Sequence, residues 1–266
     1  METIVLPKWL DNYIFNELGA KYCRSHCNMT VIDWDKSDVL NYLGTYFPRS
    51  YAESYSIFKI YILENKACYE NMEEISIFDF GCGAGGEIIG LITALEENLN
   101  LLRKVRIIAL DGNHHALRLY ERIISQLKLK SSIEISSRIF PNVIDDFYDL
   151  SVLDTVLGNE KFDIIISFKA ICEFVSKNCF ETHNAYEHIA NVLLPKLYEN
   201  GALVLVDVTS YNNVSEEWLP KMMDNGLKKV ECCIVGKNPD FNQTYTVTHS
   251  RKVCDTSKVA WRIIKK

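Results

Sequence analysis

No run in this 266-residue chain approaches the ~20 consecutive apolar residues that a membrane-spanning helix requires. Basic residues are not in excess either. Lys and Arg number 29 against 35 Asp and Glu, a net charge of −6, so the cationic surplus of an extended nucleic-acid coat is missing. The first ten residues include Glu2, Pro7 and Lys8 and lack the apolar stretch of a signal peptide. There is no internal repeat, low-complexity tract or flexible linker. Cysteine is not scarce, at nine residues, but the count is odd and framework spacing is lacking. Reduced thiols in a cytoplasmic protein without membrane contact are therefore expected. Apolar residues make up 48% of the chain, which excludes a disordered coil and permits one large core.

Residues 1 to about 70 read as helical. Trp9, Tyr13 and Leu18, and then Val39, Leu40, Leu43 and Phe47, fall at helical spacings until Pro48 breaks the pattern. From Ser50 to Leu63, Tyr51, Tyr55, Phe58 and Ile62 form an aromatic stripe on an amphipathic helix. The stripe reads as core packing. A functional alternative makes it a lid, with Tyr51 and Tyr55 lining a substrate pocket. Glu and Asn cluster near residues 65 to 73, placing a boundary between a helical cap (1–72) and a second domain (73–266).

Beyond that boundary, strands alternate with helices. Strands are expected at Ile75–Phe80, Val105–Leu110, Ile133–Ile135, Phe162–Phe168 and Gly201–Val208. Helices are expected at Glu87–Leu102, Asn113–Lys128 and Tyr186–Tyr198. Two late segments, Lys229–Val235 and Val259–Ile264, complete the β pattern, with Thr244–Thr248 as a further candidate. The run FDIIISF (162 to 168) is apolar almost throughout, as a parallel strand covered on both faces should be. Such alternation predicts a parallel α/β sheet with right-handed crossovers.

The most informative stretch is Asp79 to Gly86, a glycine-rich turn between a strand and a helix. Glycines let the backbone turn sharply and let a ligand approach main-chain atoms. The helix start behind them presents unpaired N–H groups, at the sheet edge where α/β proteins bind ligands. Gly81, Gly83 and Gly86 fit the dinucleotide pattern G-x-G-x-x-G, which would suit an NAD-dependent oxidoreductase. Asp79, Gly81, Gly83 and Gly85 fit D-x-G-x-G-x-G equally well. Asp79 discriminates between them, because a carboxylate there would repel a diphosphate. It would attract the ammonium group of S-adenosylmethionine.

The segments IFDFGCGAGG (77 to 86), IIALDGNHHALRLYERI (107 to 123), FDIIISFKAICEF (162 to 174) and LLPKLYENGALVLVDV (193 to 208) together resemble class I S-adenosylmethionine-dependent methyltransferases. The resemblance spans about residues 73 to 266. It implies a Rossmann-like, seven-stranded, mostly parallel sheet whose last strand, containing WRII (261 to 264), is antiparallel. It also implies that Asp79, Gly81, Cys82, Gly83 and Gly85 form the methionine-side loop. Asp111 would accept hydrogen bonds from the ribose hydroxyls, although it could instead cap the following helix. Gly112 and Asn113 would flank the adenosine, and Ser167, Phe168 and Lys169 would border the methyl-transfer site. Two features depart from the family pattern. Asp111 lies 30 residues past Gly81, further than usual, and the adenine contact stays open among Arg138, Phe140, Asp145 and Asp146.

Methyl transfer needs an acceptor held in line and, when that acceptor is protonated, a general base. Lys169, Glu173, His183 and His188 are candidate bases. The sequence Ser167-Phe168-Lys169-Ala170 lacks the prolines usual for methylation of base amines, and Cys172 lacks the neighbouring proline of a cytosine-attacking thiolate. Cys23, His26 and Cys27 could offer three zinc ligands but lack a supporting second cluster, so no metal is expected. The stretch 45 to 62 also resembles the methyltransferase-like proteins of mitochondrial small-ribosomal-subunit assembly, which hints at RNA. Arg251, Lys252, Lys258, Arg262, Lys265 and Lys266 form a basic tail that reads as solvated. A small-molecule acceptor is the leading expectation, with RNA or a non-catalytic assembly role as alternatives.

Overall fold

The computed structural model describes residues 2–23, 34–175, 184–210, 218–238 and 243–266. Its order begins with β1 (Ile4–Val5), α1 (Lys8–Asn12), α2 (Lys36–Thr45), α3 (Phe47–Glu64) and α4 (Lys66–Tyr69). The alternating part follows: β2 (Glu74–Phe80), α5 (Gly86–Asn98), β3 (Lys104–Asp111), α6 (His114–Lys130), β4 (Glu134–Pro141), α7 (Val152–Leu157), β5 (Phe162–Phe168), α8 (Ile171–Val175), α9 (Ala185–Leu193) and β6 (Leu197–Val208). The chain closes with α10 (Leu219–Leu227), β7 (Cys233–Lys237), β8 (Thr244–His249) and β9 (Lys252–Lys265). No helix among the described residues is long and apolar enough to cross a membrane.

One sheet has the order β1-β8-β9-β6-β5-β2-β3-β4, with β7 pairing β9 to the side. The strands β4, β3, β2, β5 and β6 run parallel, and β9 joins β6 antiparallel, as expected of the reversed last strand. Among the described residues the count is nine strands instead of seven. β9 is long enough to pair β7 along its end and β8 along its beginning, and β1 then adds to β8. The N-terminal segment is thus not wholly helical.

Alternation along the strands sorts the core into two layers. Ile75, Ile77, Ile164 and Ile166 face one cluster with α3, α5 and α6, and Phe78, Phe80 and Ile165 face another with α7, α9 and α10. By the same alternation Asp79 belongs to the α5 side. Helix α3 lies directly on α5. A Cβ added to Gly90 would stand 2.4 Å from the Tyr51 carbonyl oxygen, so the backbones touch there.

Some boundaries differ from the sequence reading. Pro48 does not end a helix. It sits in the first turn of α3, where a missing N–H costs nothing. The third parallel strand runs on to Pro141, because its ladder to β3 holds to Asp111. Helix α9 stops at Leu193, and a short 3-10 turn containing Pro195 leads into β6. Arg262 is no part of a solvated tail. It is buried, and its Nε and Nη2 donate to the Asp224 carboxylate at 2.7 and 2.9 Å, tying α10 to β9.

Candidate cofactor and active site

In the sheet order the strands following β2 run outward on one side and those from β5 on the other, so the switch point lies at β2 and β5. Open α/β sheets bind ligands beside the carboxyl ends of such strands. The glycine loop lies there. Gly81, Gly83 and Gly85 have φ of +74°, +47° and +83°, a region that disfavours side chains. The loop is fastened to β3: the N–H groups of Gly81 and Cys82 donate to the Leu110 carbonyl at 2.8 and 3.1 Å. Cys82 is buried, and burial together with Asp111 and Asp79 pushes its thiol pKa well up.

Asp111 completes the fastening. Its Oδ2 accepts from the Gly83 N–H at 2.8 Å and its Oδ1 from the Asn113 N–H at 2.7 Å. Capping of α6 falls to Asn113, whose Oδ1 accepts from the N–H groups of His115 and Ala116 at 2.9 and 3.0 Å. Asp111 is therefore not the helix cap, and the Gly112 backbone N–H also favours its charged form. Val143 lies over Gly112, 3.4 Å from where a Cβ would be.

The electrostatics set this region apart. Asp79 is fully buried, and neither carboxylate oxygen has a hydrogen-bond partner among the described residues. Burial, Glu87 and Asp111 push its pKa well above the usual carboxylate range. Glu87, in the first turn of α5, is pushed up to about 8, chiefly by burial, against the attraction of Lys169. Burial also raises the Asp111 pKa, although its backbone donors oppose the shift. Three carboxyl groups thus converge at the ends of β2 and β3 and the start of α5.

Among the described residues the nearby cation is Lys169, just past β5, in a left-handed conformation with φ +56°. A non-glycine residue there stores backbone strain of the kind that marks functional sites. Its Nζ donates to Glu53 Oε2 at 2.8 Å. Glu53 projects from α3, is fully buried, and its Oε1 has no partner among the described residues. Lys169 is therefore held in an ion pair with α3. Ser167 and Phe168 end β5 as buried residues, and Ser167 Oγ has no partner among the described residues. Glu173 is half-buried in α8, and His183 lies outside the described residues. His188, on α9, packs its ring against Phe147 and Tyr148.

Other candidates stand apart from this cluster. Tyr51 and Tyr55 are buried in the α3–α5 interface with stacked rings, and Tyr55 Oη donates to Glu97 Oε2 at 2.6 Å. Glu97 is at the far end of α5 from the glycine loop. The pair packs within the helix interface, with the Tyr55 hydroxyl at the end of α5 away from the glycine loop. Arg138 is paired with Glu160, and Asp145 and Asp146 are exposed. Phe140 is half-buried at the end of β4, in register with Leu110. Cys172 is half-buried, and burial raises its thiol pKa, unlike an activated nucleophile. Of the zinc trio, only Cys23 is among the described residues.

Three residues at the site escaped the sequence reading. Glu87 looked like an ordinary acid at a helix start. Glu53 shares α3 with Arg49, Lys59 and Glu64, so its charge alone did not mark it out. Tyr42 reaches the glycine loop from α2: a Cβ on Gly83 would stand 3.1 Å from its Oη.

No protein-family model matches the chain, and no curated protein matches it. Solved structures do. The chain is similar to a SAM-dependent methyltransferase from Aquifex aeolicus, at 12% identity over 87% of this chain and 99% of that one, with a TM-score of 0.48. It is similar to the plantazolicin methyltransferase BpumL in complex with SAH, at 16% identity over 97% and 94% of the two chains, with a TM-score of 0.49. It is also similar to a S-adenosylmethionine-dependent methyltransferase from Clostridium acetobutylicum, at 12% identity over 79% and 91%, with a TM-score of 0.40.

Proposed function

We propose that this chain is a S-adenosylmethionine-dependent methyltransferase acting on a nucleophilic N or O atom of a small molecule, with residues 1–72 as its cap. The observation that carries the reading is the buried acid cluster of Asp79, Glu87 and Asp111, whose nearby cation, Lys169, is engaged by Glu53. Buried charge without a partner is costly, and binding a cation relieves that cost. A diphosphate would add negative charge to the same place, which argues against a nicotinamide dinucleotide.

The residues present fit the cofactor. Asp79 and Glu87 would receive its ammonium group, and Asp111 would accept from the ribose hydroxyls. Gly81, Gly83 and Gly85 keep the loop free of side chains. When bound, S-adenosylmethionine supplies a methyl carbon activated by positively charged sulfur. Ser167 and Phe168 border the acceptor position. Glu173 is the candidate to take up an acceptor proton, and Lys169 positions the end of β5 through its ion pair. Burial of Arg262 shrinks the basic tail, which favours a small molecule over RNA.

Calorimetry tests the reading: S-adenosylmethionine should bind and NAD(H) should not. Asp111→Ala should weaken binding by about 1–3 kcal/mol, because it removes charge-assisted hydrogen bonds. Unchanged affinity in a folded variant would contradict the assignment. Binding without methyl transfer to RNA, protein or metabolite fractions in a labelled-cofactor assay would favour the non-catalytic alternative.

A further inference from the structure

The N-terminal segment brings an aromatic row to the glycine loop. Helix α2 is fixed first by its own ends. Asp35 caps it, accepting from the N–H groups of Ser37 and Asp38 at 2.6 and 2.9 Å, and Asp38 returns the contact to the Asp35 N–H. The Lys21 N–H donates to the Leu40 carbonyl at 3.0 Å. Tyr42 then lies between Trp34, whose ring is tilted by 50° with its centroid 5.2 Å away, and Tyr46, which stacks on it at 5.6 Å. The row is tied down at both ends. Asn113 Nδ2 donates to the Trp34 carbonyl at 3.3 Å, and the Arg49 guanidinium lies 5.7 Å from the centre of the Tyr46 ring.

Tyr42 is the member that meets the site. Its Oη stands 3.1 Å, and its Cζ 3.6 Å, from where a Cβ on Gly83 would be. Burial pushes its phenol pKa well up, and Glu87, Glu173 and Asp111 push it the same way, so the hydroxyl keeps its proton and can donate. The amino-acid end of the proposed cofactor is zwitterionic. The acid cluster suits its ammonium but repels its carboxylate, and Lys169 is engaged by Glu53. A neutral donor beside the glycine loop answers that need without adding charge.

We propose that Tyr42 is a cofactor-contacting residue delivered by the N-terminal segment. Its hydroxyl donates to the cofactor's carboxylate, and its ring closes the pocket together with Trp34 and Tyr46. This rests on the S-adenosylmethionine reading above.

The test titrates S-adenosylmethionine into wild type, Tyr42→Phe, Tyr42→Ala and, as a control, Tyr61→Phe, whose hydroxyl lies against Tyr69. Tyr42→Phe keeps the ring and should weaken binding roughly 5- to 10-fold. Tyr42→Ala should weaken it roughly 30-fold or more, because the ring is lost as well. Tyr61→Phe should bind as wild type does. An independent readout is tryptophan fluorescence. Cofactor should change the emission of wild type, and Trp34→Phe should lose most of that change. Wild type that fails to bind S-adenosylmethionine overturns the functional reading and this inference with it. Wild type that binds while Tyr42→Phe and Tyr42→Ala bind equally well overturns this inference alone. Tighter binding by Tyr42→Ala would make the phenol an obstruction, which also overturns it.

Discussion

One turn apart on α3, Arg49 and Glu53 enter two buried charged clusters of opposite character. Arg49 donates from Nε and Nη2 to the two oxygens of Asp255, at 2.8 and 2.7 Å, and Tyr22 Oη donates to the same carboxylate at 3.2 Å. His249, stacked on Phe15, lies 3.7 Å from it. Burial alone would raise the Asp255 pKa, but His249 and Arg49 outweigh it and hold the carboxyl far below its usual range. Glu53 instead meets a cluster that holds more acids than cations among the described residues, where the carboxyl groups of Asp79, Glu87 and Asp111 are all pushed up. Asp79 and Asp255 are both shielded from solvent, so exposure does not distinguish them. The partner does. A matched cluster holds α3 against β9, and in the unmatched cluster Asp79 has no hydrogen-bond partner among the described residues.

The largest effect should come from unmatching the matched cluster. Arg49→Met leaves Asp255 buried without its main partner and should cost about 3–5 kcal/mol in urea unfolding. A loss below ~1 kcal/mol would mean that the two clusters do not differ as described. Next comes neutralising part of the unmatched one. Glu87 has a folded-state pKa raised from 4.5 to about 8. Between those values the folded protein holds a proton that the unfolded chain has released, so stability falls as pH rises through this window. Glu87→Gln should flatten that fall, gaining on the order of 2 kcal/mol at pH 9 relative to pH 6. Thermal melts without added ligand at the two pH values check this, and parallel curves would remove Glu87 from the cluster. The smallest effect belongs to the packed interface between the clusters' helix and α5. Tyr55→Phe should cost about 1 kcal/mol, the net worth of one hydrogen bond to Glu97. A much larger loss in chemical denaturation would show that the interface depends on more than packing.

The centre of the parallel sheet was legible because β2, β3 and β5 are short, mostly apolar runs bounded by turn residues. β5 matched its expected limits, and β2 and β3 extended theirs by a residue or so. Asp79 and Asp111 were legible too, since local order ties an acid at a strand end to the turn that follows. Tyr51 and Tyr55 were legible only as a stripe. A helical period shows that one face is buried but not what it meets.

The sequence by itself determined the alternation of strands and helices, the glycine turn and the two acids beside it, all of which depend on residues close in the chain. Tertiary structure alone decided that β8 and β1 lengthen the sheet, that Arg49 meets Asp255, and that Lys169 meets Glu53. It also decided that Tyr42 lies over Gly83. Those contacts join residues tens to hundreds of positions apart, and no local pattern records which distant charge or ring will share a low-dielectric interior.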